Sequence, residues 1–348
     1  MELRCSTFGY VNKDTEVKLF EFINNNGVHL KITNYGGIIT SLILPDRNGK
    51  FGEVTLGFDN LNQYLGKHPY FGAICGRYAN RIAKGKFTID GIMYALNLND
   101  GANSLHGGLE GFDKKVWKAV KEINNGEKSS LVLEYLSKDM EEGYPGNLKV
   151  RVTYTLTNLN ELIIEYEAEC DRPTVLNLTN HTYFNLNGCK KNIYDHIVQI
   201  NADYYTPVDK ENIPTGAIAK VANTALDFRH PKKIGKDIGK LPNGYDHNFI
   251  INKKEKEFGF CARVEDPDSG RTMEVYTTEP AVQFYTGNFL DGSLRGHNNI
   301  VYQKHYGFCL ETQHYPDSPN HESFPSTLLK PGSRYTQKTR YTFGIMVE

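Results

Sequence analysis

Along most of the chain, apolar and polar residues alternate with a period of two. Between Leu148 and Leu156 the apolar set is Leu148, Val150, Val152, Tyr154 and Leu156, interleaved with Lys149, Arg151, Thr153 and Thr155. Successive side chains of a strand point to opposite faces, so this run predicts a strand with one face on a core and the other in water. After the turn-like Asn158-Leu159-Asn160, the residues Ile164, Tyr166, Ala168 and Cys170 alternate with Glu165, Glu167 and Glu169. The two runs together predict an antiparallel hairpin. Similar patterns predict strands over residues 28–35, 38–44, 52–57, 86–96, 116–123, 131–137, 196–201, 273–277, 281–285, 308–312 and 335–347. Helical periodicity is confined to one short turn at Leu61–Leu65.

Many strands broken by Gly, Pro, Asn and Asp predict an all-β fold, a large antiparallel β-sandwich. No composition shift marks a boundary, so residues 1–348 are expected to form a single domain. The stretch 203–248, with Pro207, Pro214, Pro231 and Pro242, reads as a long excursion over one face. Such loops often carry function.

Composition narrows the function classes. Lys+Arg 40 against Asp+Glu 41 leaves a net charge of -1, which argues against a nucleic-acid partner, since phosphates need a basic face. No apolar run approaches the roughly 18 residues of a membrane span, and Met1-Glu2-Leu3-Arg4-Cys5 does not open a secretory leader. Six cysteines lie scattered without a CxxC pair. The expectation is a cytoplasmic protein with reduced thiols. Tyr 22 exceeds Phe 18. Rings with one polar end suit a polar cleft.

There is no dinucleotide fingerprint, phosphate-binding loop, zinc-protease helix or serine elbow. Eleven histidines form no spaced ligand pair, so no metal and no cofactor are expected. Polar clusters in strand-turn contexts remain. Gly76-Arg77-Tyr78-Ala79-Asn80-Arg81-Ile82 is either a solvated strand end or a donor fork for hydroxyls or an oxyanion. His106 precedes Gly107-Gly108, where a tight turn exposes the imidazole or lets it cap carbonyls. In residues 176–186 a period of two puts Asn177, Thr179, His181 and Tyr183 on one face, toward water or a cleft. Asp246 follows the turn signal Pro242-Asn243-Gly244 and precedes an apolar strand. Gln283 stands beside Phe284 and Tyr285. Cys309 and Glu311 share a face opposite Leu310. If that face is inward, Glu311 is a desolvated carboxylate suited to proton transfer.

Taken together and in order, these segments resemble the galactose mutarotase (aldose 1-epimerase) family. They are joined by Gly111-Phe112-Asp113, Pro214-Thr215-Gly216, Asp227-Phe228-Arg229 and Phe324-Pro325-Ser326, and the resemblance runs from about Thr33 to Phe343. It implies a β-sandwich of the mutarotase type with Asn80, Arg81, His106, His181, Asp246, Gln283 and Glu311 in a sugar site. It further implies a free aldohexose such as galactose or glucose as substrate. Glu311 would act as base at the C1 hydroxyl, His181 as acid at the ring oxygen, and His106 would support the proton movement. Asp246 would grip remote hydroxyls, Asn80 and Arg81 would orient the sugar, and Gln283 would help place it. A hexose-6-phosphate epimerase, with Arg77 and Arg81 facing the phosphate, and a non-catalytic carbohydrate binder are the alternatives.

Overall fold

The computed structural model describes residues 1–347. Every named strand pairing is antiparallel. The largest sheet has nine strands. Leu148–Thr157 and Glu161–Cys170 form its expected central hairpin, in register from Leu148 opposite Cys170 to Leu156 opposite Leu162. The last strand of the chain, Tyr335–Ile345, does not sit at an edge. It lies between Glu161–Cys170 on one side and Arg271–Thr277 on the other.

A second sheet, five strands wide, joins Ala219–Lys220, Tyr204–Thr206, Asp246–Ile250, Ala281–Tyr285 and Cys309–Gln313 in that order. Much of the core lies between these layers. Leu148, Val150, Val152, Tyr154 and Leu156 meet Phe249, Val282, Phe284 and Leu310 in one buried cluster that draws residues from Phe20 to Phe343. Alternation then turns Gln283 and Glu311 to the opposite face from Phe284 and Leu310. Truncating a buried leucine such as Leu310 costs about 2–5 kcal/mol, so the strands that carry the polar residues are anchored by their apolar neighbours.

Several expectations shift in detail. Residues 86–96 form two strands, Lys86–Ile89 and Ile92–Ala95, because Asp90 and Gly91 take φ of 50° and 80° and close a tight hairpin. Residues 52–57 are strand only at Phe51–Glu53. Beyond it the Glu53 carboxylate accepts from the main-chain N–H groups of Leu42 and Thr55, replacing ladder bonds. Glu2–Asn12 and Thr15–Ile23 escape the pattern, the first because none of its residues is buried. The helix Leu61–Leu65 is present, with Asn60 accepting from the Gln63 N–H at 3.1 Å. The stretch 203–248 is no bare loop. It supplies strands to both sheets. No helix among the described residues is long and apolar enough to cross a membrane.

Candidate active site

Adjacent strands set three of the polar residues side by side. Gln283 lies opposite Glu311 in the ladder, and Asp246 lies opposite Tyr285. The Gln283 amide donates to Oδ1 of Asp246 at 2.7 Å. Behind it, Gln313 donates to Oδ1 of Asn248 at 3.2 Å. Asp246 is the first residue of its strand and half-buried. Glu311 is buried, and its Oε2 has no hydrogen-bond partner.

The other side of the site comes from two short strand pairs. Ser104–Leu105 pairs with Arg81–Ile82, and Thr179–Asn180 pairs with Ile74–Cys75. The main-chain N–H of His106 donates to the Asn80 carbonyl at 3.0 Å, and the Asn80 N–H donates back to Nδ1 of His106 at 3.1 Å. Asn80 and His106 both take left-handed φ, 62° and 51°. Gly107 follows at φ 94°, and a Cβ there would lie 1.8 Å from the Gly76 carbonyl oxygen. Only glycine allows that approach, which seats the His106 turn on the 76–81 segment. The Asn80 amide oxygen accepts from the Arg81 N–H at 2.8 Å. Nε of Arg81 donates to Oδ2 of Asp100 at 2.7 Å.

Residues 176–183 are not a half-wet strand. Asn177, Thr179, His181 and Tyr183 are buried, and so are Leu176, Leu178 and Asn180. Thr179–Asn180 pairs as a short strand, Asn177 makes a single parallel bridge to Tyr78, and His181 is held by its N–H to the Ala73 carbonyl at 2.9 Å. Its ring stacks on Tyr183 at 5.1 Å and on Tyr70 at 5.8 Å between centroids. Tyr70 also meets His106 edge-on at 4.6 Å. The His106 and His181 rings lie 5.1 Å apart. Nε2 of His181 is 3.6 Å from Oε1 of Glu311.

Burial dominates the electrostatics. It raises the Glu311 carboxyl well above the usual carboxylate range, helped by the Asp246 charge and opposed by Arg81. Burial lowers His181 to about 4. Burial, His181 and Arg81 lower His106 well below the ordinary imidazole value. Between the lowered His181 value and the raised Glu311 value, one proton is therefore held by an imidazole and a carboxyl group 3.6 Å apart. The acid–base arrangement Glu–COOH with neutral His has the same proton count as carboxylate with imidazolium, so the two interconvert without exchange with solvent. Such a pair can take a proton at one atom of a substrate and deliver one at another. His106, His181 and Glu311 also offer ligand atoms that all lie within 4.8 Å of one another, a set able to hold a cation.

Asn80, Arg81, His106, His181, Asp246, Gln283 and Glu311 thus come together. Arg77 does not join them. Its guanidinium is buried elsewhere, donating to the carbonyls of Pro145 and Gly146 at 2.9 and 3.0 Å and to Ser137 Oγ at 2.6 Å. With a further bond to Thr174 Oγ1 at 3.2 Å it braces three chain segments, so the phosphorylated-hexose alternative loses one of its two arginines. Sequence reasoning missed Tyr70 and Asp100. Tyr70 sits in no polar cluster, and only the Asn99-Asp100-Gly101 turn signal marked Asp100. Tyr70 and Leu105 also line a cleft of about 650 Å³ with Asn99, Asp113 and Phe289. Phe289 is 63% exposed and stacks on Tyr285 at 6.2 Å, a ring able to meet an entering ligand.

Known proteins share this arrangement of chain. The family model described as aldose 1-epimerase matches residues 18–342. Galactose mutarotase of Sus scrofa is 52% identical over 93% of each chain, and that of Homo sapiens is 52% identical over 91% of this chain and 92% of its own. Aldose 1-epimerase of Escherichia coli is 39% identical over 94% of this chain and 95% of its own. Among solved structures, an aldose epimerase homologue from C. elegans superposes with a TM-score of 0.87 at 33% identity, covering 94% of this chain and 98% of that one. By the length of the match and its identity, the chain belongs to the aldose 1-epimerase family.

Proposed function

We propose that the protein interconverts the α and β anomers of free aldohexoses such as galactose and glucose. One observation carries the reading: a buried carboxyl group and a buried imidazole face each other across 3.6 Å, in a site that also gathers polar side chains able to bind hydroxyls. Mutarotation asks for that machinery. Glu311 takes the proton of the C1 hydroxyl while His181 protonates the ring oxygen, and the C1–O5 bond breaks to give the open-chain aldehyde. Rotation about C1–C2 presents the other carbonyl face. The reverse proton movements close the ring and restore both groups. No electron or group is transferred, so the cycle balances without a co-reactant.

His106 donates a hydrogen bond in the same region. Asp246, braced by Gln283, accepts from remote hydroxyls. Arg81 and Asn80 orient the sugar, and Arg81 favours the Glu311 carboxylate. The whole chain serves as one domain, in keeping with a core that spans Phe20 to Phe343. Six unpaired cysteines agree with work in the cytoplasm, in hexose and galactose metabolism.

The test is to dissolve crystalline α-D-galactose and follow its optical rotation with and without the protein. Faster relaxation to the equilibrium rotation is expected. A rate equal to that of buffer overturns the reading.

A further inference from the structure

One strand holds both nitrogens of the His181 ring. Nε2 lies 3.6 Å from Oε1 of Glu311, and Nδ1 lies 3.5 Å from Sγ of Cys309. Cys309 and Glu311 stand two residues apart on Cys309–Gln313, so their side chains share a face with a spacing of about 6.6 Å. The imidazole bridges that spacing. Stacking on Tyr183 and Tyr70 fixes the plane of the ring but not its sense. A half-turn about Cβ–Cγ keeps the plane and puts carbon where each nitrogen was. Polar partners are needed to select one sense.

We propose that Cys309 is a positioning residue for the proton donor: its sulfur holds His181 through Nδ1, so that Nε2 faces Glu311 and the ring oxygen of the sugar. The inference rests on His181 being the acid of the proposed reaction. Cys309 is fully buried, and Nδ1 of His181 is its side-chain hydrogen-bond partner among the described residues. A Cys–His contact elsewhere can signal a nucleophile, but that needs a thiolate. Here burial keeps the thiol protonated. What remains is the hydrogen bond. Sulfur is a weak partner. A carboxylate at Nδ1 would stabilise the imidazolium and weaken it as an acid, whereas a neutral thiol orients the ring and leaves the proton easy to give.

The experiment compares the full-length protein with Cys309→Ala and Cys309→Ser. It reads kcat and KM for galactose, the pH profile, the unfolding temperature, and the ring ¹⁵N shifts of His181 in histidine-labelled protein. For Cys309→Ala, kcat falls about tenfold with KM within about twofold, the scale of one lost hydrogen bond, and the His181 ring signals move. Serine is smaller but keeps a polar partner at Nδ1. It restores most of kcat and moves the acid limb of the profile upward, since oxygen accepts more strongly than sulfur. A folded Cys309→Ala with wild-type kcat and unmoved ring signals overturns the proposal. If the alanine variant does not fold, Cys309→Ser carries the test, and an acid limb that stays in place overturns it. The nitrogen signals do not depend on turnover. A wild-type protein without mutarotation would remove the proposed reaction, while the signals would still report on the contact.

Discussion

The main-chain N–H of Asn80 donates to Nδ1 of His106 at 3.1 Å, which leaves Nε2 to carry the proton of the neutral ring. His106 is pushed well below the ordinary imidazole value and stays neutral. It therefore serves as an oriented donor, not as a charge. His106→Ala should lower kcat/KM by about 10–100-fold, as loss of one donor hydrogen bond in a dry site does. The shape of the pH profile should stay the same. Polarimetric rates across the pH range check this, and a vanished limb would make His106 a titrating group.

Glu311→Gln retains the shape of the carboxyl and removes the base. The rate should fall by about 10²–10⁴-fold, the usual contribution of a positioned proton-transfer group. Galactose binding by calorimetry should persist. A glutamine variant with full rate would assign the base elsewhere.

The shared proton sets the pH dependence. As pH falls through about 4, His181 gains a second proton for the pair while Glu311 is already protonated, and no base is left. As pH rises through the elevated Glu311 value, the pair loses its only proton and no acid is left. The expected kcat/KM profile has an acid limb near pH 4 and a second fall above the ordinary carboxylate range, where Glu311 loses its proton. A single limb at ordinary carboxylate pH would mean that Glu311 titrates as an exposed group does.

Asp100 is 36% exposed in its side chain and pairs with an Arg81 that is 10% exposed. Pairs in such settings contribute about 0–1 kcal/mol. Asp100→Asn should therefore raise KM by no more than about fivefold, with kcat and the unfolding temperature nearly unchanged. A large fall in kcat would place Arg81 on the reacting atoms.

Three ligand atoms within 4.8 Å of one another match the protein ligand count of catalytic zinc sites. The proton-transfer reading needs no cation, so dialysis against a chelator should leave the rate unchanged. A loss reversed by one divalent metal would reassign His106, His181 and Glu311 as its ligands.

The large sheet was legible because its strands bury one face and wet the other. Leu148 to Leu156 and Ile164 to Cys170 show the alternation in their letters. Glu2–Asn12 was not legible, since a strand with no buried residue has no apolar period. Residues 176–183 misled for the opposite reason: both faces are buried, and polar side chains such as Asn177 and Asn180 serve internal hydrogen bonds. The period put Glu311 on the face opposite Leu310 but left open whether that face met water or a cleft, because nothing in the letters shows that both faces of Cys309–Gln313 are buried. The resemblance, not the period, singled out His181 and Asn80, whose orientation depends on tertiary bonds between segments far apart in the chain. Arg77 was indistinguishable from Arg81 by type and neighbourhood. Only the carbonyls that surround it in space separate their roles.

The placement of Tyr335–Ile345 has a consequence for synthesis on the ribosome. Until that last strand emerges, Glu161–Cys170 and Arg271–Thr277 each present an open edge toward the gap it will fill. Unpaired edges recruit other chains. A nascent chain stalled before residue 335 therefore carries two sticky half-sheets, and the strand Tyr335–Ile345 acts as the keystone that closes both edges when it docks.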